Sequence, residues 1–313
     1  MIQEAFGGDP SRITIFGQSA GGASVDLYSY AWTKDPIVAG TILQSGAANA
    51  FGNRKASSAA TQWSAVTAQL GCGNSSTSSN QQVLACMRQD NITWQKIEAA
   101  ANTAVGLAAV LGNFGPTIDE KTVFSNYTDR ALKGQYIKTP TLAGNCNYEA
   151  GLFILIEAGE GKTQSADSWV YFDSDIFTCP LSNAARYRAD AGVSTWRYYY
   201  EAVFPNIALP TVNSSQAYHT AELPVLFGTD QEASGADSTW QERALGSYMR
   251  GAWATFAAHP KEGLSTVYGW PKYNANSSSL VILGKNNATV ASFQMPSDVD
   301  VGCSYPDPGF PNF

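Results

Sequence analysis

FGGDPSRITIFGQSAGG, residues 6–22, is the stretch that decides how this chain folds. Its β-branched and aromatic run, Ile13-Thr-Ile-Phe16, predicts a short buried strand that ends at Gly17. Small and apolar residues without proline follow at 20–32 and predict a helix. Between the two lies Gly17-Gln-Ser19-Ala-Gly21, a G-x-S-x-G pentapeptide in the strand–turn–helix context in which such a serine serves as a nucleophile.

Each small residue of the pentapeptide has a physical role. The chain turns sharply from strand to helix, and Gly17 and Gly21 remove side chains that we expect to clash in that turn. The turn lifts the Ser19 hydroxyl to the top of the sheet, where the start of the helix directs its free N–H groups. The Ala20 N–H is therefore the predicted donor to the oxyanion of a tetrahedral intermediate. Because the pentapeptide alone recurs by chance, the flanking strand, helix and Gly22 are what favour catalysis.

A serine hydroxyl needs a base, and the chain has 2 histidines. His259 precedes Pro260 at the end of a predicted helix, where a cation at a helix C-terminus is the simpler interpretation. His219 lies in a polar segment between a strand and an apolar stretch, which suits a base carried on a loop. A purely structural loop histidine is the alternative at that position.

The base in turn needs a carboxylate, and the usual chain order at such an elbow is Ser, then Asp or Glu, then His. Glu149 follows the strand predicted at 139–144 by a few residues, so we expect it at the sheet edge beside Ser19. Glu222 comes after His219 and is interpreted as a structural partner of nearby backbone. Three further acids lie in polar stretches and are predicted to be solvated: Asp119, Glu120 and Asp129.

The rest of the chain continues the alternation of strands and helices. Strands are predicted at 41–44, 139–144, 195–200, 280–283 and 290–293, and helices at 56–72 and 240–257. This alternation favours the α/β class, with a largely parallel sheet covered on both faces, in a single domain that spans 1–313.

The composition indicates a globular chain with few charges, since 44% of its residues are apolar and 14% are charged. A formal net charge of −7 argues against nucleic acid or an anionic membrane as the main partner. The most apolar stretch, 99–110, is shorter than the ~18–20 residues of a membrane span. We find no residue cluster with metal-ligand spacing and predict neither a metal nor a cofactor.

Sequons and cysteines indicate an oxidising, extracellular environment. Asn-x-Ser/Thr sequons are about twice as frequent as chance predicts, at Asn74, Asn91, Asn126, Asn213, Asn276 and Asn287. Cys72 and Cys86 flank a Ser- and Asn-rich stretch that looks like a loop closed by a disulfide, with two buried thiols as the alternative. The pairing of Cys146, Cys179 and Cys303 stays open, and at least one of an odd set lacks a partner. The first residues show neither the basic segment nor the apolar core of a signal peptide.

Beyond the pentapeptide, the whole run 6–22 resembles the signature of the type-B carboxylesterase/lipase family, which includes the cholinesterases. The resemblance continues along nearly the whole chain and is strongest to secreted fungal esterases. Its further segments are Leu43-Gln-Ser-Gly46, the Cys72/Cys86 loop, 144–151, 218–224, 227–228, 253–257 and 270–273.

The resemblance implies an α/β-hydrolase fold and hydrolysis of carboxylic esters, including small-molecule or lipid esters. The family's catalytic triad corresponds to Ser19, Glu149 and His219, the residues that the pattern itself favours. The resemblance also implies that Ser45 supports the acid–base pair.

Two features depart from the family. The family carries a signal peptide, several strands and a His-Gly-Gly oxyanion loop before the elbow, whereas residues 1–18 precede Ser19 here. We therefore expect the C-terminal portion of the fold, without the family's N-terminal third, and an incomplete sheet whose first strand has an open apolar edge. The interval from Glu149 to His219 is also short, which predicts a reduced lid region.

The missing segment has an expected cost. Each oxyanion donor contributes about 3–4 kcal/mol to transition-state stabilisation. We therefore expect this chain to be poorly active and poorly soluble, and its secreted full-length parent to be an active esterase. A catalytically impaired truncated product and a non-enzymatic esterase-like binding module are the alternative functions. Lipid, short-chain and aromatic esters all stay open as substrates, since a hydrophobic pocket separates them by only ~1–3 kcal/mol per methylene.

Overall fold

The computed structural model describes residues 2–34, 36–50, 52–74, 76–101, 114–209 and 216–309. The sequon at Asn213 and most of the apolar stretch 99–110 lie outside the described residues. Within these ranges, every helix is too short or too polar to cross a membrane.

A six-stranded sheet forms the centre of the structure, and its strands lie side by side in chain order. They are β1 (Thr14–Gln18), β2 (Gly40–Gln44), β3 (Thr141–Cys146), β4 (Thr195–Tyr200), β5 (Leu280–Leu283) and β6 (Ser292–Gln294). Strands β1 to β5 are parallel, and β6 pairs antiparallel with β5. The predicted α/β class with a mostly parallel sheet is confirmed, and the predicted strands lie within a few residues of those observed.

Helices connect the strands. Within the described ranges, those of five residues or more are Ala20–Ala31, Ala56–Gln69, Asn80–Met87, Trp94–Ala101, Tyr127–Leu132, Ala150–Gly159, Ala166–Phe172, the π-helix Asp173–Thr178, Cys179–Asp190, Glu222–Phe227, Asp230–Ser234, Trp240–Ala258 and Gly263–Tyr268. The shorter ones are Ile2–Ala5, Pro10–Arg12, Pro205–Ile207, Lys285–Asn287 and Pro296–Asp298. The longest, Trp240–Ala258, begins with a capping box in which Thr239 and Glu242 satisfy each other's backbone N–H groups.

Apolar side chains on both faces of the sheet are buried against helices. Ile42 and Leu142 belong to one apolar cluster, together with residues of the helix Trp240–Ala258. The next residues, Leu43 and Ala143, belong to a second cluster with the helix that follows β1 and the helix that precedes β4. Because side chains alternate along a strand, this division places the two clusters on opposite faces.

Strand β1 is less buried than the sequence predicted. Phe16 is 55% exposed and contacts the exposed ring of Phe227, with the ring centroids 6.3 Å apart. Among the described strands, β1 pairs with β2 alone and so lies at the edge of the sheet. The prediction of a buried strand was wrong, because a local pattern of apolar residues does not show how many neighbours a strand has. The open apolar edge that was expected at the first strand is observed among the described strands.

The chain divides into two compact units. The first comprises residues 1–51, 126–155 and 164–310 and contains the sheet. The second comprises 52–125, 156–163 and 311–313. It includes the helices Ala56–Gln69, Asn80–Met87 and Trp94–Ala101 and the disulfide Cys72–Cys86. The prediction of one domain over 1–313 stays a prediction.

A second disulfide joins Cys179 to Cys303 and so fastens the C-terminal segment to the helix Cys179–Asp190. Asp300, in the same segment, accepts hydrogen bonds from Ser182 at 2.5 Å and from the fully buried Arg197 at 2.7 Å. Cys146, whose pairing the sequence left open with that of Cys179 and Cys303, is a buried free thiol.

Candidate active site

The candidate site lies where three neighbouring parallel strands end. Ser19 follows β1 directly, Ser45 follows β2 directly, and Glu149 lies three residues beyond β3. Because parallel strands present their carboxyl ends at the same edge of a sheet, these residues are brought together there. The Ser45 N–H donates to the Gly144 carbonyl at 2.8 Å, which extends the contact between β2 and β3 up to the site.

The turn at Ser19 is as sharp as the sequence predicted, and Ser19 takes φ 57° and ψ −121°. A Cβ at Gly17 would lie 2.4 Å from the backbone of Gly21, and one at Gly46 would lie 2.1 Å from the Ser19 carbonyl oxygen. A Cβ at Gly21 would meet nothing within 4 Å. The crowding that excludes side chains from the turn therefore falls on Gly17, on Gly46 and on Gly22, where a Cβ would lie 2.7 Å from the Gln44 carbonyl oxygen. The expected clash at Gly21 is absent among the described residues.

The helix Ala20–Ala31 starts immediately after Ser19, which is half-buried. Its first internal hydrogen bond runs from the Ala23 N–H to the Ser19 carbonyl at 2.9 Å. Within the described part of the chain, the Ala20 N–H makes no hydrogen bond, as expected at a helix N-terminus. Ala20 is exposed, so its N–H is available to a negatively charged group that approaches Ser19.

Two loops distant in sequence are held together by backbone contacts, and they carry Glu149 and His219. The Tyr148 N–H donates to the Ala217 carbonyl at 3.0 Å, and the Ala217 N–H donates to the Asn147 side-chain oxygen at 2.9 Å. The His219 N–H then approaches the Glu149 carbonyl at 3.4 Å. These contacts fix the spacing of Glu149 and His219 independently of the hydrogen bond between their side chains.

Glu149 is 1% exposed and its two carboxylate oxygens have different partners. Oε1 accepts hydrogen bonds from the Ser45 hydroxyl and from the Cys146 N–H, both at 2.7 Å. Oε2 lies 2.5 Å from Nδ1 of His219, which is 4% exposed. An ionised carboxylate only accepts hydrogen bonds, so the Nδ1 proton points at Glu149 and Nε2 keeps its lone pair. This is the tautomer that a general base requires.

No signal in the sequence indicated the partner of His219 Nε2. The side-chain nitrogen of Gln18, the residue before Ser19, lies 3.2 Å from His219 Nε2 and can donate a hydrogen bond to it. Among the described residues, the Ser19 hydroxyl itself makes no hydrogen bond to His219. Catalytic hydrogen bonds are often long in the free enzyme and tighten when substrate binds. The structure thus joins Glu149, His219 and Ser45 directly and brings Ser19 to them through its neighbour.

Aromatic rings shield the imidazole of His219 from water. The rings of Phe153 and Phe177 lie 5.1 and 5.0 Å from it, centroid to centroid. Phe172 packs against both of these rings. A low local dielectric strengthens every charge–charge interaction at the pair, including that between Glu149 and a protonated His219.

A second buried carboxyl group, Glu222, lies beside the site. Its oxygens accept hydrogen bonds from the Gln44 side chain and from the Cys146 thiol, both at 3.1 Å. Burial, and then the charge of Glu149, raise the pKa of Glu222, and burial also raises the pKa of the Cys146 thiol. Glu222 was predicted to bind nearby backbone, and its own backbone N–H does bond the carboxylate. Side chains from the ends of β2 and β3 bond it as well, which the sequence did not predict.

The other titratable residues considered from the sequence lie on the surface or at a helix end. His259 is exposed at the C-terminus of the helix Trp240–Ala258, and its N–H donates to the Thr255 carbonyl at 2.8 Å. Asp119 and Glu120 are exposed, and Asp129 forms an ion pair with Lys133 at 2.8 Å.

The chain is similar to known proteins along most of its length. A model of the carboxylesterase family matches residues 2–171 and 162–301. Chlorogenic acid esterase of Aspergillus niger is 35% identical over 296 residues, which is 90% of this chain and 54% of the relative. Secreted lipase 5 of Gibberella zeae is 36% identical over 309 residues, 94% of this chain and 56% of the relative. The chain thus spans slightly more than half the length of these two relatives.

Solved structures agree on the fold. The structure of a thermophilic pNB esterase superposes with a TM-score of 0.69 at 22% identity, over 93% of this chain and 62% of that chain. A second pNB esterase structure gives a TM-score of 0.66 at 21% identity. The predicted α/β-hydrolase fold and the resemblance noted in the sequence are confirmed. The chain belongs to the carboxylesterase family.

Proposed function

We propose that this chain carries a serine hydrolase site for carboxylic esters, with Ser19 as nucleophile, His219 as base and Glu149 as the acid that orients the base. The buried Glu149–His219 pair carries the proposal, because it lies at the sheet edge where a strained turn presents Ser19. Family membership supports ester hydrolysis as the reaction.

The reaction would proceed through an acyl-enzyme. The Ser19 oxygen attacks the ester carbonyl carbon while His219 Nε2 takes the hydroxyl proton, and the Ala20 N–H donates to the resulting oxyanion. Collapse of the tetrahedral intermediate breaks the bond to the alcohol, which leaves with the proton from His219. Water then attacks the acyl group, again with His219 as base, and releases the acid and free Ser19.

Glu149 would stabilise the imidazolium that forms in both steps. The hydrogen bonds from Ser45 and the Cys146 N–H occupy Oε1 and leave Oε2 for His219 alone. The carboxylate therefore cannot rotate without breaking three bonds, and this preorganisation keeps the imidazole aligned.

We further propose an extracellular setting for the protein. Two disulfides, Cys72–Cys86 and Cys179–Cys303, support it, because disulfides persist mainly in oxidising compartments. The name of the Gibberella zeae relative, a secreted lipase, points the same way.

Hydrolysis of p-nitrophenyl acetate by wild type and Ser19→Ala tests the proposal, once circular dichroism shows that both are folded. Ser24→Ala is the matched control, since Ser24 lies in the helix that follows Ser19 and its hydroxyl, among the described residues, bonds only to the Ala20 carbonyl. We expect turnover in wild type and Ser24→Ala and its loss in Ser19→Ala. If folded wild type is as inert as Ser19→Ala, an impaired product or an esterase-like binding module is the better description.

A further inference from the structure

A third carboxyl group lies at the Glu149–His219 pair. Asp173 is the first residue of the π-helix Asp173–Thr178, and its Oδ1 accepts the Ala150 N–H at 2.6 Å. Ala150 directly follows Glu149. The Asp173 carboxylate therefore holds the peptide that connects Glu149 to the helix Ala150–Gly159.

The same π-helix also supports the base. Phe177, four residues after Asp173, packs against the His219 ring at a centroid distance of 5.0 Å. π-helices are rare and are frequent at functional sites. One short element thus fixes the backbone of the acid through a hydrogen bond and the ring of the base through packing.

Asp173 is half-buried, and the groups that face it are Glu149, His219, Tyr148 and Tyr199. Burial raises the pKa of Asp173 to about 7, the Ala150 N–H opposes the rise, Glu149 adds to it and His219 lowers it. Asp173 therefore changes charge in the pH range in which a histidine base operates.

We propose that Asp173 is a positioning residue for ester hydrolysis, which in its ionised form fastens the Glu149–Ala150 peptide and favours the protonated His219 that forms as Ser19 attacks. The inference rests on the proposed function. A charged acceptor binds an N–H about twice as strongly as a neutral one. A negative charge near His219 also stabilises the imidazolium, so a protonated Asp173 provides less of both effects.

Asp173→Asn tests the proposal, because asparagine keeps an acceptor for the Ala150 N–H and lacks the charge at every pH. Asp175→Asn is the matched control: it removes the same charge from the same π-helix, and Asp175 hydrogen-bonds Tyr171 instead. The measurement is kcat and KM for p-nitrophenyl acetate from about pH 6 to about pH 8.5.

We expect the ratio of wild-type kcat to Asp173→Asn kcat to be about fivefold at the alkaline end and to approach one at the acid end. KM should stay within about twofold, since the proposed role of Asp173 acts through the Ala150 N–H and His219 and involves no contact with substrate. Asp175→Asn should match wild type throughout. A ratio that is constant across the pH range would overturn the proposal, because a merely structural residue gives a constant effect.

A second measurement is independent of turnover and separates failure of this inference from failure of the proposed function. The amide proton of Ala150, followed by NMR, should titrate with Asp173 at about pH 7 in wild type and Asp175→Asn, and not in Asp173→Asn. If wild type does not hydrolyse the ester but its Ala150 amide titrates as expected, the result counts against the proposed function alone. An Ala150 amide that titrates identically in Asp173→Asn and wild type would overturn the proposed effect of Asp173 on the Glu149–Ala150 peptide.

Discussion

Replacing Ser45 with alanine should remove one hydrogen bond from Glu149 and change little else. Ser45 is fully buried, and its hydroxyl donates to Glu149 Oε1 at 2.7 Å. The residue has φ 49°. Alanine keeps the Cβ, so the cost of that backbone conformation is the same in both proteins. The change therefore isolates the contribution of the hydroxyl.

The size of the effect follows from the kind of bond. A hydrogen bond to a charged acceptor contributes about 1.5–3 kcal/mol, and each 1.36 kcal/mol is tenfold in rate. If the whole contribution were realised in the transition state, kcat would fall by roughly tenfold to a hundredfold. Glu149 keeps the Cys146 N–H and His219 as partners, so we expect the lower limit, about tenfold, with KM little changed.

The assay is p-nitrophenyl acetate hydrolysis, with urea unfolding measured in parallel. Ser182→Ala is the control, because Ser182 is also buried and its hydroxyl donates to the carboxylate of Asp300, in the C-terminal segment, at 2.5 Å. Ser182→Ala should lose about as much free energy of unfolding as Ser45→Ala and keep the kcat of wild type. A folded Ser45→Ala protein with wild-type kcat, or a Ser182→Ala protein with the same tenfold loss, would refute the role given to Ser45.

Three further predictions concern the turn, the buried acid and the disulfides. Gly17→Ala should abolish turnover and Gly21→Ala should be tolerated in this chain, because only the first places a Cβ 2.4 Å from backbone atoms; equal losses on p-nitrophenyl acetate would contradict the crowding argument. Burial raises the pKa of Glu222 above its ordinary 4.5, so the folded chain holds that proton to higher pH than the unfolded chain and loses stability as pH rises above it. The free energy of unfolding of Glu222→Gln, measured in urea, should therefore rise relative to that of wild type between about pH 5 and about pH 8. A difference between the two proteins that does not change with pH would contradict this. The sequence separations of 124 and 14 predict that Cys303→Ser costs about 5 kcal/mol and Cys86→Ser about 3, so a larger loss for the shorter loop in thermal unfolding would count against chain entropy as the cause.

Local sequence signals predicted the parts of the site that local structure determines. The turn at Ser19 depends on residues within a few positions of it, so a strand, two glycines and a helix start are enough to locate it. Glu149 was selected as a candidate because a residue shortly after a parallel strand must lie at the strand's carboxyl end. His219 could be chosen because the chain offers 2 histidines and one caps a helix.

Local sequence signals could not predict the contacts between loops that are distant in the sequence. Gln18 and His219 are 201 residues apart, and Cys146 and Glu222 are 76 apart. No periodicity or motif records that such side chains meet. Asp173 has no sequence signal either, because an aspartate in a polar stretch is usually solvated. Its contact with Ala150 depends on a π-helix that composition does not predict.

Acylation of Ser19 is the central step of the proposed reaction. Wild type, Ser24→Ala, Ser19→Ala and His219→Gln are incubated with p-nitrophenyl acetate, quenched in acid, digested and sequenced by mass spectrometry. We predict an acetyl group on Ser19 in wild type and Ser24→Ala, and none on that peptide in Ser19→Ala or His219→Gln. An acetyl group on another residue, or a folded wild type that releases p-nitrophenolate while Ser19 stays unmodified, would contradict the account.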